Sequence, residues 1–170
     1  VVPVGAAAGT LVEALTNRAR LLKLGAGDAP GVDMGPVITG AQRDRVRAAI
    51  SGGVSEGASL VLDGREVDVS GSSEGFFVGP TIFDRVQPDM AIYRDEIFGP
   101  VLSVLRVSSL DDAIALVNQN PYGNGAAIFT KSGGAARKFQ NEIEIGMVGI
   151  NVAIPIPMAF FSFGGWKSSL

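Results

Sequence analysis

Apolar residues recur at helical spacing in AAGTLVEALTNRARLLKL, where Leu11, Leu15, Arg18 or Ala19, and Leu22 fall on one face. The pattern predicts a helix, closed by the loop GAGDAPG, whose Gly, Asp and Pro suit tight turns. Thr39-Gly40-Ala41-Gln42 has the T-x-x-Q form of a capping box, so a second helix is expected from there to about Ser51. On it Val46 and Ile50 form a narrow apolar stripe among Arg43, Asp44, Arg45 and Arg47, which read as a solvated face.

The period then shortens. ASLVLDG and FFVGPTIFDRV are rich in β-branched and aromatic residues and bounded by glycine, so both read as strands, joined by the polar connection REVDVSGSSEG. From Val101 the order is an apolar run VLSVLRV, a capped helix SSLDDAIALVNQ, a strand GAAIFT, a helix SGGAARKFQNEI and a strand GMVGINV. Short buried strands separated by single helices need crossover connections. The expected fold class is therefore α/β, a mostly parallel sheet with helices on both faces. No repeat interrupts the chain, and 170 residues fit one domain.

Composition narrows the chemistry more than the fold. There is no cysteine and no histidine, which removes disulfides, a thiolate nucleophile and nearly every zinc ligand. Any chemistry rests on carboxylates, Lys, Tyr, hydroxyls or backbone. A net charge of -3 with scattered Lys and Arg offers no field for nucleic acid. The longest apolar run, Ala153 to Phe161, is broken by Pro155 and Pro157, so no membrane span is expected. Hydrophobic content of 46% against 18% charged is high for a small soluble chain, and part of the surface is expected to meet a partner.

Several stretches invite a functional reading. GAGDAPG, GNGAAI and GGAARK match no nucleotide fingerprint and are better explained as turns. NPYGNG is a turn first, although a loop at the end of a strand can line a cleft. SFGGWKSS is either a substrate wall or a packed indole beside a solvated amine, and nothing near Lys167 would depress its pKa into a catalytic range. RDEIFGPVLSV sets Glu96 two residues before Phe98 where an apolar run begins. In an extended segment the two would project to one side, a carboxylate able to accept from a sugar diol and a ring able to meet a flat heterocycle. Alternatively, Glu96 pairs with Arg94 or Arg106 on the surface while Phe98 fills the core. Spacing leaves both readings open.

Four segments, GDAPGVDMGPVIT, GFFVGPTIFDRVQPDMAIYRDEIFGPVLSV, NPYGNGAAIFT and GINVAIPIPMAFFSFGGWKSS, together resemble the aldehyde dehydrogenase superfamily, in order and spacing, over essentially the whole chain. The last of them is similar to the CoA-acylating methylmalonate-semialdehyde dehydrogenase branch. The resemblance implies NAD as cofactor, with Glu96 accepting from the nicotinamide ribose and Phe98 near the ring, and CoA as co-substrate. It implies no catalytic residue and no metal ligand within this chain. In the family a cysteine attacks the aldehyde, a thioester follows, and in this branch CoA releases it with loss of carbon dioxide.

Because VVPVGAAAG resembles the stretch just after that cysteine, the nucleophile is expected before Val1, and residues 1–170 are expected to be a C-terminal catalytic-domain piece. The dinucleotide-binding domain would lie outside it. The isolated chain is then expected to be inactive, with a small aldehyde and the rest of its own polypeptide as partners. The resemblance implies a homo-oligomeric parent enzyme, scarce lysine with frequent arginine and alanine suggests a bacterial cytoplasmic one, and neither nucleic acid nor membrane is expected as a partner. Asn151 and Phe160 to Phe163 border the cleft in this comparison but are as readily structural. The rival readings are a non-acylating aldehyde dehydrogenase and a non-catalytic assembly domain that keeps the fold.

Overall fold

The computed structural model describes residues 1–69, 75–153, 156–162 and 164–169. The chain divides into two compact units, Val1–Arg106 and Val107–Leu170. The first contains helices α1 (Ala7–Ala19), α2 (Gly40–Ser55) and α3 (Ala91–Arg94), with strands β1 (Ser59–Leu62), β2 (Thr81–Asp84) and β3 (Val101–Ser103). The second contains α4 (Leu110–Gln119), β4 (Tyr122–Gly123), β5 (Gly125–Ile128), α5 (Gly133–Glu142), β6 (Met147–Ile150) and β7 (Trp166–Lys167).

In the first unit β2 is the middle strand, antiparallel to β1 and parallel to β3 with Thr81, Ile82 and Phe83 opposite Val101, Leu102 and Ser103. All four β2 residues are buried, as expected of a strand covered on both faces. Phe77, Val78 and Gly79 are buried too but lie outside the strand, and Phe76 is exposed, so the strand is shorter than its apolar run. The link from β2 to β3 passes through α3 and the segment Asp95 to Pro100.

The buried stripe of α1 is Ala8, Val12 and Thr16, with Leu15 and Ala19 at its edge against Val12, Ile82 and Val104. It is turned one position from the Leu11–Leu15 face the pattern predicts. Thr16 can lie inside because its hydroxyl donates to the Val12 carbonyl at 2.8 Å, leaving only its methyl to be packed. Helix α2 runs to Ser55, a turn past the expected end, and buries Val46, Ile50 and Gly53. A Cβ at Gly53 would stand 2.9 Å from Ile92 and 3.2 Å from Phe83, so this glycine lets α3 and β2 approach the helix.

Thr39 caps α2, its hydroxyl accepting from the Gln42 N–H at 3.1 Å. The other half of the predicted capping box is not made. The Gln42 side chain turns away from the helix end to carbonyls of residues 97 and 98. At α4, by contrast, Ser109 and Asp112 complete both halves of the box.

In the second unit β5 and β6 are parallel in register from Gly125–Met147 to Ile128–Ile150. Ile114 of α4 and Phe139 of α5 form a core with Ile143 and Ile145, against which Ala126, Ile128 and Val148 pack. The α/β class and both parallel pairings follow the expectation. The run from Val101 is nevertheless not one sheet among these pairings, since β3 pairs with β2 while β5 and β6 pair with each other. Periodicity locates strands; it carries no information about which edge a strand joins. No helix among the described residues is long and apolar enough to cross a membrane.

Asp84 ends β2 nearly buried, and Arg106 meets it as a fork, Nε to Oδ1 at 2.9 Å and Nη2 to Oδ2 at 2.6 Å. That guanidinium, partly opposed by burial and helped by the Arg85 N–H, holds the Asp84 carboxyl below the usual carboxylate range. A lowered folded-state pKa contributes stability above the unfolded-state value, near ~3.9, which is lost as pH falls through the folded value. Acid unfolding is therefore expected to set in below about pH 4. Asp84→Asn should cost about 1–3 kcal/mol at neutral pH and flatten that acid limb, because an amide cannot gain this pairing as pH rises. An acid limb unchanged in Asp84→Asn would assign the effect to other carboxyls.

Candidate functional site

The segment Asp95 to Pro100 leaves α3 and enters β3, and its carbonyls turn back toward α2. Arg45 donates from Nη1 to the Glu96 carbonyl at 3.1 Å and from Nη2 to the Ile97 carbonyl at 2.8 Å. Gln42 donates from Nε2 to the Phe98 carbonyl at 2.8 Å and to that of Ile97 at 3.3 Å. Behind the segment Gly99 sits against Val46, with room for a hydrogen but not for a Cβ. Three successive carbonyls and a glycine thus fasten the loop to one face of α2. Arg45, expected on a solvated face, is instead committed to the loop.

Both candidate side chains stand on the outside of this attachment. Glu96 is exposed, and among the described residues its carboxylate takes no hydrogen bond and no ion pair. Arg106, offered as its surface partner, belongs to Asp84. Phe98 is 74% exposed and does not fill the core. Its φ of +52° places it in the left-handed region, where a bulky side chain is strained by about 1–3 kcal/mol. The segment is therefore not extended at Phe98, and alternation along a strand is not what relates the two residues. What they share is a strained, fastened turn that presents both to solvent.

A cavity of about 290 Å³ adjoins Glu96, lined by Arg45, Ala49, Gly52, Ala91 and Ile92 among others. Ligand pockets usually enclose about 300–1,000 Å³, so this open hollow is one wall rather than a closed site. The available groups are an acceptor-only carboxylate and an aromatic face, neither spent internally. A carboxylate that only accepts and an aromatic face are chemically suited to a diol and a flat ring.

In the second unit Asn124 and Gly125 of NPYGNG line a hollow of about 330 Å³, while Lys167 and Asn151 are engaged with backbone. Lys167 has φ +58° and its ammonium donates to the carbonyls of Val117, Asn118 and Asn120 at 3.2, 3.0 and 3.0 Å. It closes the carboxyl end of α4, where a cation is favoured. Trp166 and Lys167 pair with Tyr122 and Gly123, so SFGGWKSS and NPYGNG share a small antiparallel ribbon. Asn151 spends its amide on both backbone groups of Thr130, at 2.9 and 3.0 Å. Phe160 and Phe161 are exposed, their rings tilted 45° to each other with centroids 4.9 Å apart, while Phe163 lies outside the described residues.

A sequence model of the aldehyde dehydrogenase family matches residues 4–170. The chain belongs to the aldehyde dehydrogenase family. The malonate-semialdehyde dehydrogenase of Pseudomonas aeruginosa is 53% identical over 163 residues, covering 96% of this chain and 33% of that protein. The mouse protein named methylmalonate-semialdehyde/malonate-semialdehyde dehydrogenase (acylating), mitochondrial, is 52% identical, covering 91% of this chain and 29% of its own length. A Sinorhizobium meliloti protein taken to be a methylmalonate-semialdehyde dehydrogenase, solved with NAD, superposes with a TM-score of 0.95 at 48% identity. That match takes in 99% of this chain and 34% of the other. The chain thus spans about a third of the length of the relatives it matches.

Sequence reasoning singled out Glu96 and Phe98 as candidates but not the residues that fasten their loop. The T-x-x-Q spacing singled out Gln42 for a helix-end role that its side chain does not play. Arg45, one turn on, gave no signal beyond its position on the same helix face.

Proposed function

We propose that this chain forms the nicotinamide-ribose wall of an NAD-dependent, CoA-acylating dehydrogenase that converts methylmalonate or malonate semialdehyde to propionyl-CoA or acetyl-CoA. The observation that carries the reading is the fastened loop at 96–98, which offers, among the described residues, an unpaired carboxylate and an exposed ring two positions apart. Glu96 would hold the cofactor's ribose and Phe98 would face its flat ring; the bound cofactor supplies the acceptor for the hydride leaving the substrate. An ionised carboxylate is suited to a diol because both its oxygens accept, and the bonds are charge-assisted. A rigid turn is suited to the same task because little ordering remains to be done on binding. The substrate class and the use of CoA are supported by the names of the Pseudomonas and mouse relatives.

With no cysteine in residues 1–170, the thiol that forms a thioester has to come from polypeptide outside them. Both units are read as parts of one catalytic domain, and the parent enzyme as a cytoplasmic homo-oligomer, on the family resemblance. The test is product analysis with the full-length enzyme given malonate semialdehyde, NAD and CoA. Acetyl-CoA, carbon dioxide and NADH are expected in equal amounts. A free acid in place of the thioester would overturn the acylating assignment in favour of another aldehyde dehydrogenase. Absence of NADH would favour a non-catalytic domain. NAD reduction by residues 1–170 alone would contradict the need for an external thiol.

A further inference from the structure

We propose that Asn124 is a self-modification site: its side chain closes on the Gly125 nitrogen to a succinimide that opens to aspartate or isoaspartate, at a rate set by the first rungs of the β5–β6 ladder. Asn124-Gly125 is the one Asn-Gly pair in the chain. Both residues are exposed, and among the described residues the Asn124 side-chain amide takes part in no hydrogen bond. Its carbonyl carbon is therefore open to attack. The Met147 N–H donates to the Asn124 backbone carbonyl at 3.0 Å, on the β6 side. In a trans peptide the C=O and the following N–H point opposite ways, so the Gly125 N–H faces away from β6. No acceptor meets it there among the described residues. Glycine also has no Cβ to obstruct the approach of its nitrogen to the neighbouring side chain.

The other asparagines are each protected by something Asn124 lacks. Asn118 donates from Nδ2 to the Glu142 carbonyl and accepts at Oδ1 from the Glu144 N–H, both at 2.8 Å. Asn151 is held on both sides by the backbone of Thr130. Asn120 precedes Pro121, which has no N–H to lose. Asn17 and Asn141 lie in α1 and α5, where the following N–H is spent on the helix. The inference does not depend on the reading of Glu96 and Phe98.

The chemistry needs only water and base. The Gly125 nitrogen gives its proton to hydroxide and attacks Asn124 Cγ; the N–Cγ bond forms, the Cγ–Nδ2 bond breaks, and the amide nitrogen leaves as ammonia. Water then opens the ring at either carbonyl, giving aspartate or isoaspartate. Nothing is oxidised or reduced, and the chain gains one negative charge. For the ring to close, the backbone must turn about the Asn124 Cα–C bond, which swings the Asn124 carbonyl away from Met147. That bond and the one from the Gly146 N–H to the Gly123 carbonyl, at 2.9 Å, resist the turn. They are the first rungs of the ladder, where opening costs least. Either product sets a carboxylate at the hollow lined by Ala126, Ala127, Phe129 and Met147. Isoaspartate also routes the main chain through Cγ, adding a methylene just before β5 and displacing the carbonyl that Met147 holds.

The experiment keeps the full-length enzyme in mildly alkaline buffer beside a free peptide of sequence NPYGNGAAIFT, with Asn124→Gln and Gly125→Ala as variants. Samples are digested and mapped by mass spectrometry, and isoaspartate is counted with an isoaspartate methyltransferase. The peptide bearing residue 124 is expected to gain the mass difference between a carboxyl and an amide, as two products, at a rate that rises with hydroxide. Conversion should be slower than in the free peptide, and amide exchange at Met147 should be faster in the converted protein. Asn124→Gln should abolish the conversion, because its ring would be larger. Gly125→Ala should slow it severalfold without unfolding, since the nearest atoms to a new Cβ, on Met147, stand at an ordinary 3.7 Å. No conversion at residue 124 while the free peptide converts overturns the proposal. So does aspartate without isoaspartate, which would mean direct hydrolysis, or conversion at Asn118 or Asn151 as fast as at Asn124. A rate equal to that of the free peptide overturns control by the ladder.

Discussion

Glu96→Gln in the full-length enzyme is expected to weaken NAD binding about ten- to a hundredfold and to slow hydride transfer in single-turnover kinetics, without measurable loss of stability. The substitution keeps shape and replaces one of two acceptor oxygens by an amide donor, so a diol loses one charge-assisted bond, worth about 1.5–3 kcal/mol. Stability should stay within about 0.5 kcal/mol because the carboxylate is exposed and has no internal partner among the described residues. The two expectations together separate a ligand-holding carboxylate from a surface one. Glu96→Asp retains the charge but withdraws it by one methylene, and should slow hydride transfer more than it weakens binding, since placement is what it disturbs. An unchanged single-turnover rate in Glu96→Gln would leave the carboxylate a decoration on the turn.

How far the chain could be read in advance differs from residue to residue for a physical reason. The helix starts at Thr39 and Ser109 were legible because capping is local, a hydroxyl and an N–H three residues on. The stripe of Val46 and Ile50 was legible because a helix repeats its faces. Gln42 was noticed for the wrong task. Its spacing from Thr39 fits a capping box, yet the stronger offer comes from carbonyls more than fifty positions away, which no local pattern encodes. Arg106 was a candidate partner for Glu96 by nearness in sequence, whereas β-sheet pairing brings it to Asp84, twenty-two positions away. The place of Lys167 at the carboxyl end of α4 depends on a two-residue ribbon too short to leave a pattern. Glu96 and Phe98 themselves were visible as an oddity of composition. Their exposure and the positive φ of Phe98 belong to the folded chain.

Gly99→Ala is expected to lower stability by about 1–3 kcal/mol and to disturb the cofactor wall at the same time. A Cβ at this position would stand 2.6 Å from Val46 Cγ2 and 3.0 Å from Cγ1. Val46 is fully buried and β-branched, so it has neither free space nor an alternative rotamer to yield into. Either α2 or the loop must move, and the loop carries Glu96 and Phe98. The neighbouring residue on the helix is Arg45, whose bonds to the 96 and 97 carbonyls would lengthen as the loop is pushed outward. Weaker NAD binding should therefore accompany the fall in the thermal midpoint, which sets this variant apart from Glu96→Gln. The clash can be relieved from the other side. Val46→Ala removes the two methyl groups that the new Cβ meets, at the cost of a cavity when introduced alone. The pair Gly99→Ala/Val46→Ala should then be more stable than the sum of the two single losses, with part of the NAD affinity recovered. Additive losses in the thermal midpoint would mean that Gly99 is required for the path of its own backbone and not for the closeness of α2, and that the wall is held by Gln42 and Arg45 alone.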